Sequence, residues 1–85
     1  MIMNKVLVKV YVPLNEEQYD VFIPLNKKIC NVIKLLAKAI YELTDGNYNP
    51  DTMPTLYDKA TVKPYNMTKN VKESNIKNGT ELILM

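Results

Sequence analysis

The sequence predicts an α+β domain in which one helix lies across one face of a mixed β-sheet. Three observations lead there. Apolar residues alternate with period two over residues 5–12 and again over 19–23. The period then changes to that of an amphipathic helix from Ile29 to Leu43. The sequence closes on Glu81-Leu82-Ile83-Leu84-Met85, a run too apolar for a sheet edge. With 85 residues the chain is below the commonest domain size, so it reads as one domain, 1–85, with one core.

The first strand places Val6, Val8, Val10 and Val12 on one face and Lys5, Leu7, Lys9 and Tyr11 on the other. β-Branched residues at every second position suit a half-buried strand. Pro13 stops it, and Asn15-Glu16-Glu17-Gln18 supplies a polar turn. Tyr19, Val21 and Ile23 then alternate with Asp20 and Phe22, which makes the pair an antiparallel hairpin. In the helix Ile29, Val32, Ile33, Leu36, Ile40 and Leu43 form one apolar stripe, with Lys34, Lys38 and Glu42 opposite. Asn26 or Lys28 opens the helix and Gly46 caps its end. A polar connection over residues 46–54 leads to a short strand at Thr55-Leu56-Tyr57 and a turn at Asp58-Lys59-Ala60. Residues 61–70 show no clear period, and Pro64 admits at most an edge strand there. Residues 71–76 read as one short helical turn, and Asn78-Gly79 as a tight turn before the last strand.

Composition narrows function. Net charge is +2, and all eleven basic residues are Lys. Arg is the side chain best suited to bidentate phosphate and guanine contacts, so nucleic acid is not an expected partner. No apolar stretch approaches the roughly 18 residues needed to span a bilayer, so direct membrane insertion is not expected. The first residues lack a signal-peptide pattern, and the lone Cys30 excludes an intramolecular disulfide, which together point to a cytoplasmic location. With no His, neither a Ser-His nor a Cys-His pair can form, and a zinc site would rest on scattered carboxylates. Two glycines cannot build a phosphate loop. Cys30 falls in the first helical turn, where the dipole favours a thiolate, yet a small residue at the core edge is the better reading. Asp58, Glu73 and Glu81 read as turn and solvated-face residues rather than as an acid–base pair. No enzyme activity and no cofactor are expected.

The order strand–strand–helix–strand–loop–strand is that of the β-grasp fold. The chain resembles ubiquitin and, more closely, the bacterial YukD/EsaB family. Ile23 precedes Ile29 by six residues, linking the last core position of the hairpin to the first of the helix. Val71-Lys72-Glu73-Ser74-Asn75-Ile76, followed by Asn78-Gly79-Thr80-Glu81-Leu82-Ile83-Leu84, is similar to the family's ending. There an apolar-x-acidic-x-x-Ile turn precedes a Gly-containing turn and a closing Leu-x-Leu strand. Residues 47–70 depart from the pattern. The Gly-Gly tail of ubiquitin and the sulfur carriers is missing, since the sequence ends on Leu84-Met85.

The resemblance implies a cytoplasmic, non-catalytic adaptor or regulatory component of the type VII (Esx) secretion system of Gram-positive bacteria. Its partner would be a membrane subunit or ATPase of that system, or a second copy in a homodimer. A sulfur carrier or conjugated modifier, disfavoured by the missing glycines, and a ubiquitin-like regulatory domain of another pathway are the alternatives. In a ubiquitin-like sheet the first and last strands run side by side and parallel. If the valine row faces the helix, then Leu7, Tyr11 and Phe22 project from the other face, with Ile83, Met85 and Tyr57 beside them. These six are the candidate protein-binding residues, and Leu7, Ile83 and Met85 are expected to form one contiguous apolar patch.

Overall fold

The computed structural model describes residues 4–85. β1 (Lys5–Val12) and β2 (Glu17–Pro24) form the expected hairpin, paired from Lys5↔Pro24 to Val12↔Glu17. α1 (Ile29–Leu43) follows, then β3 (Leu56–Asp58), the two-residue β4 (Lys63–Pro64), a 3-10 turn (Val71–Ser74) and β5 (Glu81–Leu84). The sheet order is β2-β1-β5-β3-β4. β1 and β5 are parallel, and the other neighbouring pairs are antiparallel. The architecture is therefore the α+β, β-grasp arrangement expected, with the first and last strands in the middle of the sheet.

One core lies between the sheet and α1. Val8, Val10 and Val12 are fully buried and Val6 nearly so; they meet Ile29, Val32, Ile33, Leu36 and Ile40 of the helix, with Leu82 and Leu84 beside them on β5. Leu43 departs from the expected stripe and is 67% exposed. Its helical phase is right, but the buried stripe stops at Ile40. Tyr48, from the polar connection, is 1% exposed and belongs to the core. Its backbone N–H donates to Thr44 Oγ1 at 2.9 Å, which ties the connection to the helix end.

Both ends of α1 are closed by particular bonds. At the start Lys28 occupies the cap position without a side-chain cap. The free amides go instead to a distant loop: Ile29 N–H to Lys69 O at 2.9 Å and Cys30 N–H to Met67 O at 3.1 Å. At the end Gly46 N–H donates to Tyr41 O at 2.8 Å and Asp45 N–H to Glu42 O at 3.3 Å, the paired bonds of a Schellman motif. Both residues have positive φ, 52° for Asp45 and 83° for Gly46.

The Asn78-Gly79 turn sets the position of β5 along β1. Leu7 N–H donates to Asn78 Oδ1 at 2.8 Å, and Gly79 N–H donates to Leu7 O at 2.8 Å. Gly79 has φ +88°, where a Cβ would be strained even though space around it is open. Before this turn, Val71 and Ile76 are buried anchors, and Glu73 Oε1 accepts the Asn70 N–H at 3.2 Å. The apolar-x-acidic-x-x-Ile pattern is thus two core contacts around a capped turn.

Candidate interaction face

The sheet face away from α1 is arranged in cross-strand rows. One row holds Phe22 and Leu7, which are 58% and 39% exposed. The next is charged: Asp20 on β2 stands opposite Lys9 on β1, which stands opposite Glu81 on β5. Lys59 completes it, its Nζ 3.8 Å from Glu81 Oε2. The same ammonium lies 5.6 Å from the centroid of the Tyr11 ring, within cation–π range. The third row runs Gln18, Tyr11, Ile83, Tyr57, Pro64 across all five strands. Tyr11, Ile83 and Tyr57 are half-buried in it. Aromatic residues beside a β-branched one on neighbouring strands add about 0.2–1 kcal/mol per pair, so the row is a firm platform.

Met85 lies past this row, exchanging backbone hydrogen bonds with Thr55 at 3.0 and 2.8 Å, and is 51% exposed. The single patch of Leu7, Ile83 and Met85 expected from the sequence is therefore corrected. Strand parity puts Leu7 and Ile83 on one face, as expected, but Gly79 rather than Ile83 lies beside Leu7. Ile83 is level with Tyr11, four residues further along β1, and the charged row lies between. Alternation reveals the face of a residue, whereas its height in the sheet depends on turn bonds. Of the six candidates, Tyr11, Ile83 and Tyr57 come together, Leu7 and Phe22 form a separate pair, and Met85 stands at the end.

Met85 belongs also to an apolar groove that the sequence did not reveal. Leu14 and Met53, 62% and 56% exposed, flank it, with Tyr48, Pro54 and Leu84 among its lining and a volume of about 370 Å³. Leu14 and Met53 are isolated apolar residues in polar loops, so no periodicity marks them.

The charged side chains considered for chemistry have other employment. Asp58 accepts the Ala60 N–H at 3.1 Å and the Thr61 hydroxyl at 3.2 Å, which closes its turn. Glu73 caps the 3-10 turn, and Glu81 pairs with Lys59. Asp58 and Glu81 do border one shallow hollow of about 500 Å³, together with Tyr65. Burial, with the Asp58 charge adding to it, pushes the Tyr65 hydroxyl up to about 12. Cys30 is half-buried. Among the described residues no three His, Cys, Asp or Glu side chains gather as a metal site requires. No described helix is long and apolar enough to cross a membrane.

No protein-family model matches the chain, and no curated protein matches it in sequence. Solved structures do match in fold. The EccD5 ubiquitin-like domain of Mycobacterium xenopi superimposes with a TM-score of 0.79 at 15% identity, over 98% of this chain and 94% of that one. The ubiquitin-like domain of the Mycobacterium tuberculosis type VII secretion protein EccD1 gives 0.76 at 11% identity, over 98% and 99%. A chain of the MycP5-free ESX-5 inner membrane complex gives 0.70 at 17% identity; the match covers 98% of this chain and 21% of that longer one. At such identities the likeness establishes the ubiquitin-like fold, and among its neighbours are domains of type VII secretion proteins.

Proposed function

We propose that this chain is a docking module of a type VII (Esx) secretion system, akin to the YukD/EsaB proteins, that works in the cytoplasm of a Gram-positive bacterium. It binds a membrane subunit or ATPase of the secretion machine and performs no chemical turnover. The observation that carries this reading is the near full-length fold likeness to two EccD ubiquitin-like domains. The ESX-5 inner membrane complex, one chain of which contains a similar fold, supports a membrane subunit as the partner class. The docking surface is the Tyr11–Ile83–Tyr57 row, which spans three neighbouring strands and presents two hydroxyls around an apolar centre. Aromatic residues with a polar tip are favoured at protein interfaces for that combination.

Full burial of one such side chain contributes about 1.5–3 kcal/mol, and these three are already half-buried. Covering them contributes roughly 2–4 kcal/mol in all, or about 30-fold or more in affinity. The test is co-purification from host membranes by a tagged chain, with the triple change Tyr11→Ser, Tyr57→Ser, Ile83→Ser beside the wild type. Recovery of secretion-system subunits should collapse for the variant while its far-UV circular dichroism stays native. Undiminished recovery places docking elsewhere, and recovery of no secretion subunit by the wild type removes the assignment.

A further inference from the structure

β2 is an open edge of the sheet, and its backbone bonding shows which groups are free. Leu25 N–H donates to Asn4 O at 2.7 Å, while Leu7 and Lys9 turn their amides away from β2, to Asn78 Oδ1 and Thr80 O. In an antiparallel ladder, bonded and non-bonded pairs alternate. Leu7↔Phe22, Lys9↔Asp20 and Tyr11↔Gln18 are therefore the non-bonded pairs, and the N–H and C=O groups of Gln18, Asp20 and Phe22 point outward. Among the described residues nothing pairs with them. An eight-residue edge strand without a covering element is a template for another strand.

Beside that edge runs an apolar groove of about 330 Å³ between β2 and α1. Val21, Ile23, Val32, Leu35, Leu36 and Ala39 line it, and Leu35 is 51% exposed at its outer wall. A strand added to β2 would turn every second side chain into this groove. The side chains between would continue the charged row on the other face. That row alternates Asp20, Lys9, Glu81, Lys59 across the sheet and ends at the open edge on the carboxylate of Asp20. β2 also carries Glu17 and no basic residue.

We propose that the β2 edge takes up an extended segment of a partner protein in which apolar residues alternate with lysine or arginine. Backbone pairing supplies the attachment, the groove selects the apolar positions, and Asp20 selects the cation between them. Charge also argues against a second copy of this chain. The two-fold register that uses all three outward residues sets Asp20 directly against Asp20, and like charges facing each other across strands are destabilising. This inference is independent of the secretion reading, because it names a surface distinct from the Tyr11–Ile83–Tyr57 row.

The test uses two blocked synthetic peptides, Val-Lys-Val-Lys-Val-Lys-Val and Val-Glu-Val-Glu-Val-Glu-Val, titrated to about 1 mM into the full chain under amide NMR. The basic peptide should shift the Gln18, Asp20 and Phe22 amides and slow their hydrogen exchange, binding about fivefold or more tighter than the acidic one. Gln18→Pro removes one outward donor without breaking a bond to β1 and should abolish binding. Asp20→Lys should invert the peptide preference, and it decides the matter if Gln18→Pro fails to fold. Absence of binding by both peptides, shifts confined to other surfaces, or a preference unchanged by Asp20→Lys overturns the proposal. So do dilution-dependent shifts of these amides without peptide, which would put a second copy on the edge.

Discussion

Truncating Leu82 to Ala separates the inner from the outer face of β5 most sharply. Leu82 is fully buried, with Val10 beside it on β1 and Asp58 on β3. A central strand held on both sides has little freedom to collapse into the space left, so the cost belongs in the upper part of the usual range, about 3–5 kcal/mol. A chain of 85 residues has a total stability of roughly 4–13 kcal/mol. With a urea m-value of about 1 kcal/mol/M, the midpoint should fall by about 3–5 M or the domain should unfold outright. Leu7→Ala, at a position 39% exposed on the opposite face, should cost less than about 1 kcal/mol. Urea unfolding followed by circular dichroism measures both. Equal costs, or a larger cost for Leu7, would refute the assignment of the valine row and Leu82 to one core.

Three further outcomes follow from particular residues. Leu36→Ala should cost about 2–5 kcal/mol and Leu35→Ala well under half of that, because Leu36 is 4% exposed and Leu35 51%; matched denaturation curves in the reverse order would mean a rotated helix. Val62 has φ +56° in the turn between β3 and β4, a conformation that costs a β-branched residue about 1–2 kcal/mol, so Val62→Asn should raise the thermal midpoint; a fall would show that the strain is compensated by contacts of Val62. Burial and the Asp58 charge hold the Tyr65 hydroxyl at about 12, against an ordinary value of 10. The unfolded chain therefore loses its proton first, and stability that is full below pH 10 should drain away between pH 10 and 12. Tyr48 is shifted in the same direction by burial. Tyr65→Phe should flatten part of that alkaline slope in pH-dependent unfolding, and an unaltered slope would assign it to other groups.

The strands and helix that carry periodic apolar residues were legible in the sequence. The valine alternation of β1 and the stripe from Ile29 to Ile40 place the same residues in the core that the structure buries. What periodicity could not convey was set by contacts between distant segments. The helix start was ambiguous between Asn26 and Lys28 because no side chain caps it; carbonyls of Met67 and Lys69 take its first amides. Alternation shows that Leu7 and Ile83 both face outward but not that the Asn78-Gly79 turn grips Leu7 itself and moves Ile83 up to Tyr11. Tyr48 stands alone among polar residues and prolines, so nothing local marks it as core. For the site, the sequence supplied the members of the Tyr11–Ile83–Tyr57 row but not their division from Leu7 and Phe22. The β2 edge was hidden as well, since an open edge is a property of strand order rather than of strand composition.

Photocrosslinking in cells tests the proposed docking through the helix-free face directly. A benzophenone amino acid replaces Ile83, at the centre of the face, or Lys34, on the exposed side of α1. Irradiation of cells carrying the Ile83 replacement should yield an adduct with a membrane subunit or ATPase of the secretion system, and the Lys34 replacement should yield none. Adducts from Lys34 alone, or from Ile83 only to proteins outside that system, would contradict the account.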